Sequence, residues 1–122
     1  MKPRRILVVD DDDSIRDFIS MALSDHGYQV ATAPDGAVAL EMMAGFQPDL
    51  VLLDMRMPAM DGWSFSSAYR KTRSPRVPIV VLTAARDAGA SAAEIQADGF
   101  LAKPFELQDL LALVERLLGK PL

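Results

Sequence analysis

The sequence predicts an α/β domain built on a parallel sheet. Apolar runs rich in Val, Ile and Leu recur along it: Ile6-Leu7-Val8-Val9, Leu50-Val51-Leu52-Leu53 and Ile79-Val80-Val81-Leu82. They show no polar alternation, as expected of strands covered on both faces. Between them lie segments whose apolar residues recur at helical spacing. A third observation concerns the ends of the runs. The first ends in Asp10-Asp11, the second in Asp54, the third in Thr83, and Phe100-Leu101-Ala102 ends in Lys103-Pro104. Ligand sites of open α/β sheets lie beyond the carboxyl ends of the strands. These four ends therefore converge on one crevice that can hold a divalent cation and a phosphoryl oxygen.

The elements follow in order. The first strand covers about Arg5 to Asp10. Ser14 to Ser24 is a helix with Ile15, Phe18, Ile19, Ala22 and Leu23 on its inner face, started by Asp12 or Asp13 and closed by His26-Gly27. Tyr28 to Ala33 alternates loosely and reads as an edge strand. Pro34-Asp35-Gly36 is a turn, and Ala37 to Ala44 is a second helix ended by Gly45. Gln47-Pro48 leads into a strand from Leu50 to Asp54. Met55 to Gly62 is a loop, Trp63 to Lys71 a helix, and Thr72 to Pro78 a further loop. Pro78 to Thr83 is the fourth strand. Ala84 to Ala97 is a weak helix containing Gly89 and many alanines. Gly99 to Ala102 is the fifth strand. Leu107 to Leu118 is the last helix, with Leu110, Leu111, Val114, Leu117 and Leu118 inward. Strands joined through helices demand right-handed crossovers and a parallel sheet.

At 122 residues the chain is expected to form one domain spanning 1–122, with residues 119–122 the only candidate stub of a linker. The formal net charge of −4 disfavours direct binding to nucleic acid. No cysteine is present, so thiolate chemistry and a disulfide frame are excluded. No apolar stretch approaches the roughly 20 residues of a bilayer span. Only a four-residue apolar run follows Met1-Lys2-Pro3-Arg4-Arg5, too short for a secretory signal. A cytoplasmic protein without membrane insertion is expected.

Asp10 to Asp13 form the densest charge run. Acidic residues suit a helix start, which accounts for one or two of the four. Two carboxylates directly at the end of a buried strand repel, and a cation relieves that repulsion. Mg²⁺ fits best, because it is held by one or two carboxylates together with waters and phosphate oxygens. A single histidine and no cysteine argue against zinc. Asp54 could serve as a nucleophile that forms an aspartyl phosphate. Lys103 could clamp a phosphoryl oxygen as a point charge, and Thr83 could donate to another.

On these residues the chain resembles the receiver domain of a two-component response regulator. The match rests on Asp10-Asp11, then Asp54-Met55-Arg56-Met57-Pro58 with Asp61-Gly62, then Thr83-Ala84, then Lys103-Pro104-Phe105. It runs from Arg5 to about Leu118. The resemblance implies a flavodoxin-like, doubly wound five-stranded sheet in order 2-1-3-4-5 with five helices. It implies that Asp54 accepts a phosphoryl group from a sensor histidine kinase or a histidine phosphotransfer protein. Asp11, Asp54 and the backbone carbonyl of Arg56 would bind Mg²⁺, with Asp10 acting mainly through metal-bound water. Lys103, Thr83 and the Ala84 amide would hold phosphoryl oxygens. Thr83 and Phe100 would form the switch, read out by an unidentified effector protein on the face of the fourth helix, fifth strand and fifth helix. The chain would catalyse its own phosphorylation and slow dephosphorylation without being an enzyme on another substrate. The Lys103–Pro104 bond would be cis.

Three other readings fit less well. A flavodoxin needs a Ser/Thr/Gly-rich phosphate loop after the first strand, where this chain has four aspartates. An aspartate-nucleophile phosphatase needs a second aspartate two residues on, and position 56 is arginine. A receiver-like scaffold is expected to lose one of the acids, the Thr or the Lys, and this chain keeps all five. Arg56 places a large cation beside the acidic crevice and is expected to cover the phosphoryl group in part. Ala85 leaves the approach open.

Overall fold

β3, Leu50–Asp54, is buried along its whole length and lies at the centre of a five-stranded parallel sheet. The computed structural model describes residues 3–72 and 76–119. Beside β3 lie β1 (Arg5–Val9), β2 (Gln29–Ala33), β4 (Ile79–Ala84) and β5 (Gly99–Lys103), in the order β2-β1-β3-β4-β5. The helices are α1 (Asp13–Asp25), α2 (Gly36–Phe46), α3 (Gly62–Arg70), α4 (Ala85–Ile95) and α5 (Leu107–Leu118). The flavodoxin-like order and the edge position of β2 are as expected. Of the expected loop from Thr72 to Pro78, residues 73–75 lie outside the described residues, as do 120–122 of the candidate linker stub and the first two residues.

The uniform apolar runs are explained by two cores. Leu7, Val9, Val51, Leu53 and Val81 pack with Ala39, Met43, Phe65, Tyr69, Ala92 and Ile95 of α2, α3 and α4. Ile6, Val8, Leu50, Leu52, Val80 and Leu82 pack with Ile19, Leu23, Leu110, Val114 and Leu118 of α1 and α5. Alternate residues of one strand thus enter opposite cores, and neither face tolerates a polar residue.

Local chemistry sets the helix starts. The Asp12 carboxylate accepts from the Ser14 and Ile15 amides at 2.8 and 3.2 Å. Asp35 caps α2 and Asp61 caps α3 in the same way. His26 caps the C-terminus of α1, and Gly27 follows at φ 92°.

Three expectations are corrected. Gly45 does not end the second helix: α2 runs through it to Phe46, and Gln47 takes the left-handed turn at φ 53°. Nothing crowds Gly45, so glycine costs only its propensity there, about 1 kcal/mol. The last turn is held from outside by Arg5, whose guanidinium lies 5.8 Å from the Phe46 ring centroid and donates to the Phe46 carbonyl at 2.8 Å. Phe18 is not inward but 46% exposed. It sits about 100° around the helix from Ile19, beyond the edge of the buried stripe. α4 stops at Ile95 rather than Ala97, with Gln96 left-handed at φ 55°. Arg70 donates to the Ile95 carbonyl and Arg76 to that of Gln96, at 3.1 Å, which satisfies these two carbonyls at that end.

Candidate functional site

The order β2-β1-β3 means that the chain leaves β1 in one direction and returns on its other side at β3. The switch point between β1 and β3 opens a crevice at their carboxyl ends. Register then aligns the polar ends. Val9 is level with Leu53, so Asp10 and Asp54 leave adjacent strands side by side. Asp54 is level with Leu82, which puts Thr83 one step beyond it. Thr83 is level with Ala102, and Ala84 with Lys103.

One carboxylate oxygen from each of Asp10, Asp11 and Asp54 lies within 4.8 Å of the other two. Asp10 and Asp54 are buried and Asp11 is exposed. Lys103 Nζ lies 2.7 Å from Asp10 Oδ2 and 3.6 Å from Asp54 Oδ2. Asp10 Oδ1 accepts the Asp12 amide at 2.9 Å, so both Asp10 oxygens already have partners within the protein. Arg16 donates to the Asp10 carbonyl at 2.6 Å and pairs with Asp13, tying α1 to this turn. The Lys103–Pro104 peptide is cis, as expected. Thr83, next to last in β4, is buried; Ala84, which ends β4 and precedes α4, is exposed; and Phe100 is 52% exposed on β5.

The electrostatics are those of a crowded carboxylate. Burial first, and then the neighbouring Asp10, push the Asp54 carboxyl from 3.8 up to about 6. Lys103 and a hydrogen bond from the Arg56 backbone N–H pull the other way, and Asp11 adds a smaller push upward. The donors are all carboxylate oxygens, which are hard ligands. That set suits Mg²⁺, whose charge would offset the repulsion that raises Asp54.

The loop from Met55 to Gly62 is braced from two sides. Gly36 donates its N–H to the Met60 carbonyl at 2.9 Å, and Gly62 to that of Met55 at 2.9 Å. A Cβ on Gly36 would stand 2.6 Å from Met60 O, and one on Gly62 2.5 Å from Met55 Sδ. Both positions need glycine because two pieces of backbone meet there.

The expected cover by Arg56 is not found. Its guanidinium lies over the Trp63 ring, 5.5 Å from the centroid, with Nε 3.8 Å from Asp87 Oδ2. Neither Trp63 nor Asp87 was marked out by the sequence. They come from α3 and α4, and nothing local to Arg56 points to them. The acid at the start of α4 was the one available signal, since it could pair with any cation brought near.

The family model of the response regulator receiver domain matches residues 6–115. The chain is 43% identical over 120 residues to the response regulator MprA of Mycobacterium sp. (strain KMS), which covers 97% of this chain and 52% of that protein. It thus spans about half the length of the curated relatives it matches. The chemotaxis response regulator CheY4 of Vibrio cholerae superposes with a TM-score of 0.85 at 36% identity, covering 94% of this chain and 98% of that one. The response regulator TrrA of Thermotoga maritima, solved with Mg²⁺ and BeF, superposes with a TM-score of 0.82 at 33% identity, covering 94% and 99%.

Proposed function

The chain belongs to the response regulator receiver family, and on that premise we propose that it is a phosphorylation-activated switch whose phosphoacceptor is Asp54. The observation that carries this reading is the meeting of Asp10, Asp11 and Asp54 within 4.8 Å, with Lys103 reaching both buried acids. On this reading residues 1–122 form one receiver unit. The donor is a phosphohistidine on a sensor kinase or phosphotransfer protein.

An Asp54 carboxylate oxygen attacks phosphorus. The new O–P bond forms as the P–N bond breaks, and the departing imidazole keeps the electron pair and takes up a proton. The attack requires ionised Asp54, which its raised pKa still allows at neutral pH. Asp11, Asp54 and the Arg56 carbonyl would hold Mg²⁺. The two oxygens of Asp10 are already engaged, which suits an indirect, water-mediated role. When bound, Mg²⁺ supplies positive charge against the phosphoryl oxygens. Lys103 donates to one of those oxygens, Thr83 and the Ala84 amide to others. Hydrolysis of the acyl phosphate then resets the switch.

Readout follows from Thr83. Drawn toward the phosphoryl group, it leaves space beside β5, and Phe100 turns inward from its half-exposed position. That rearranges the face of α4, β5 and α5 for an effector protein. Incubation with acetyl phosphate and Mg²⁺ followed by intact mass tests the reading. One added phosphoryl group is expected on the wild type and none on Asp54→Asn. An unchanged wild-type mass, or an equal gain in the variant, overturns it.

A further inference from the structure

Arg56 has its backbone at the site and its side chain elsewhere. Its N–H is bonded to the Asp54 carboxylate, which puts its Cα at the rim of the acidic cluster. A guanidinium matches carboxylate geometry better than any other cationic side chain. Left free, it would be drawn to Asp10, Asp11 and Asp54 and would compete there with a divalent cation. Instead it lies over the ring of Trp63, in the first turn of α3, and near Asp87, in the first turn of α4. The two contacts come from different helices and meet the guanidinium through different chemistry. The guanidinium carbon lies over the ring, and Nε is the atom nearest the carboxylate. Both contacts are partly exposed and individually weak, but together they define one position for a long side chain.

Resting on the reading that the cluster takes Mg²⁺, we propose that Trp63 and Asp87 are positioning residues that park the Arg56 guanidinium outside the Asp10–Asp11–Asp54 cluster and so keep the cluster open to the cation. Their effect passes through Arg56, and a variant cycle isolates it. Mg²⁺ affinity is measured by titration calorimetry for the wild type, Trp63→Leu, Asp87→Asn and Arg56→Ala, and for the two double variants containing Arg56→Ala. Trp63→Leu and Asp87→Asn are each expected to weaken Mg²⁺ binding about twofold to fivefold, the range for one partly exposed charge pair. In the Arg56→Ala background neither change is expected to alter the affinity further. Trp63→Leu alters no charge, so a direct field effect does not explain its result. Weakening that persists without the Arg56 side chain, or no weakening in either single variant, overturns the proposal.

A metal-free measurement follows the parking itself. The Arg56 Hδ protons are expected to lie upfield in the ring current of Trp63 and to move toward random-coil values in Asp87→Asn; unmoved resonances overturn the proposal. A wild-type chain that binds no Mg²⁺ overturns the proposed function and this inference with it. Wild-type binding with unaltered single variants overturns this inference alone.

Discussion

Asp54→Asn should stabilise the metal-free protein at neutral pH. The Asp54 carboxyl stands at about 6 in the folded chain against an ordinary 3.8. The difference corresponds to about 3 kcal/mol, at roughly 1.4 kcal/mol per unit. That figure is already net of the pull of Lys103, 3.6 Å away, and residual contact with water reduces it to a gain of about 1–2 kcal/mol. The sign follows from the raised value. The folded chain holds this proton to higher pH than the unfolded chain does. The stability involved is therefore fully present below about pH 4 and is lost as pH rises through about 6. Asparagine has no such proton, so the gap between variant and wild type should open across that window and stay constant above pH 7. In thermal melts with chelator a gain of this size is worth about 3–10 °C. A gap that does not change between pH 4 and pH 8 would refute the reasoning, as would one in which the wild type gains on the variant with rising pH.

The same crowding makes the fold responsive to metal. Mg²⁺ at ten times its dissociation constant should add roughly 1.4 kcal/mol to the wild type, and Asp11→Asn should show a smaller rise; an unmoved wild-type melting midpoint would contradict the site. Amide shifts on adding beryllofluoride and Mg²⁺ should cluster between Thr83 and Phe105, and shifts confined to α1 and α2 would place the readout elsewhere. Gly36→Ala would bring a Cβ to 2.6 Å from the Met60 carbonyl. It should cost about 1–3 kcal/mol in urea unfolding, as overpacking against backbone does, and an unchanged midpoint would mean that the loop yields.

The strand runs and their polar ends were legible in the sequence because both are local properties. A strand buried on both faces must be apolar throughout, and its last residue marks where the ligand crevice begins. Asp10, Asp11, Asp54, Thr83 and Lys103 could therefore be named before any contact was known. The helix starts were equally local, since Asp12, Asp35 and Asp61 bond amides two or three residues ahead. The rest was decided by contacts between distant segments. Arg5 extends α2 past Gly45 by bonding Phe46, 41 residues away. Lys103 meets Asp10 across 93 residues. Arg56 turns away from the nearest acids because α3 and α4 present Trp63 and Asp87 together. The raised Asp54 carboxyl has the same origin. Burial and a neighbouring charge act through space, and only the packed sheet brings Asp10 and Asp54 side by side.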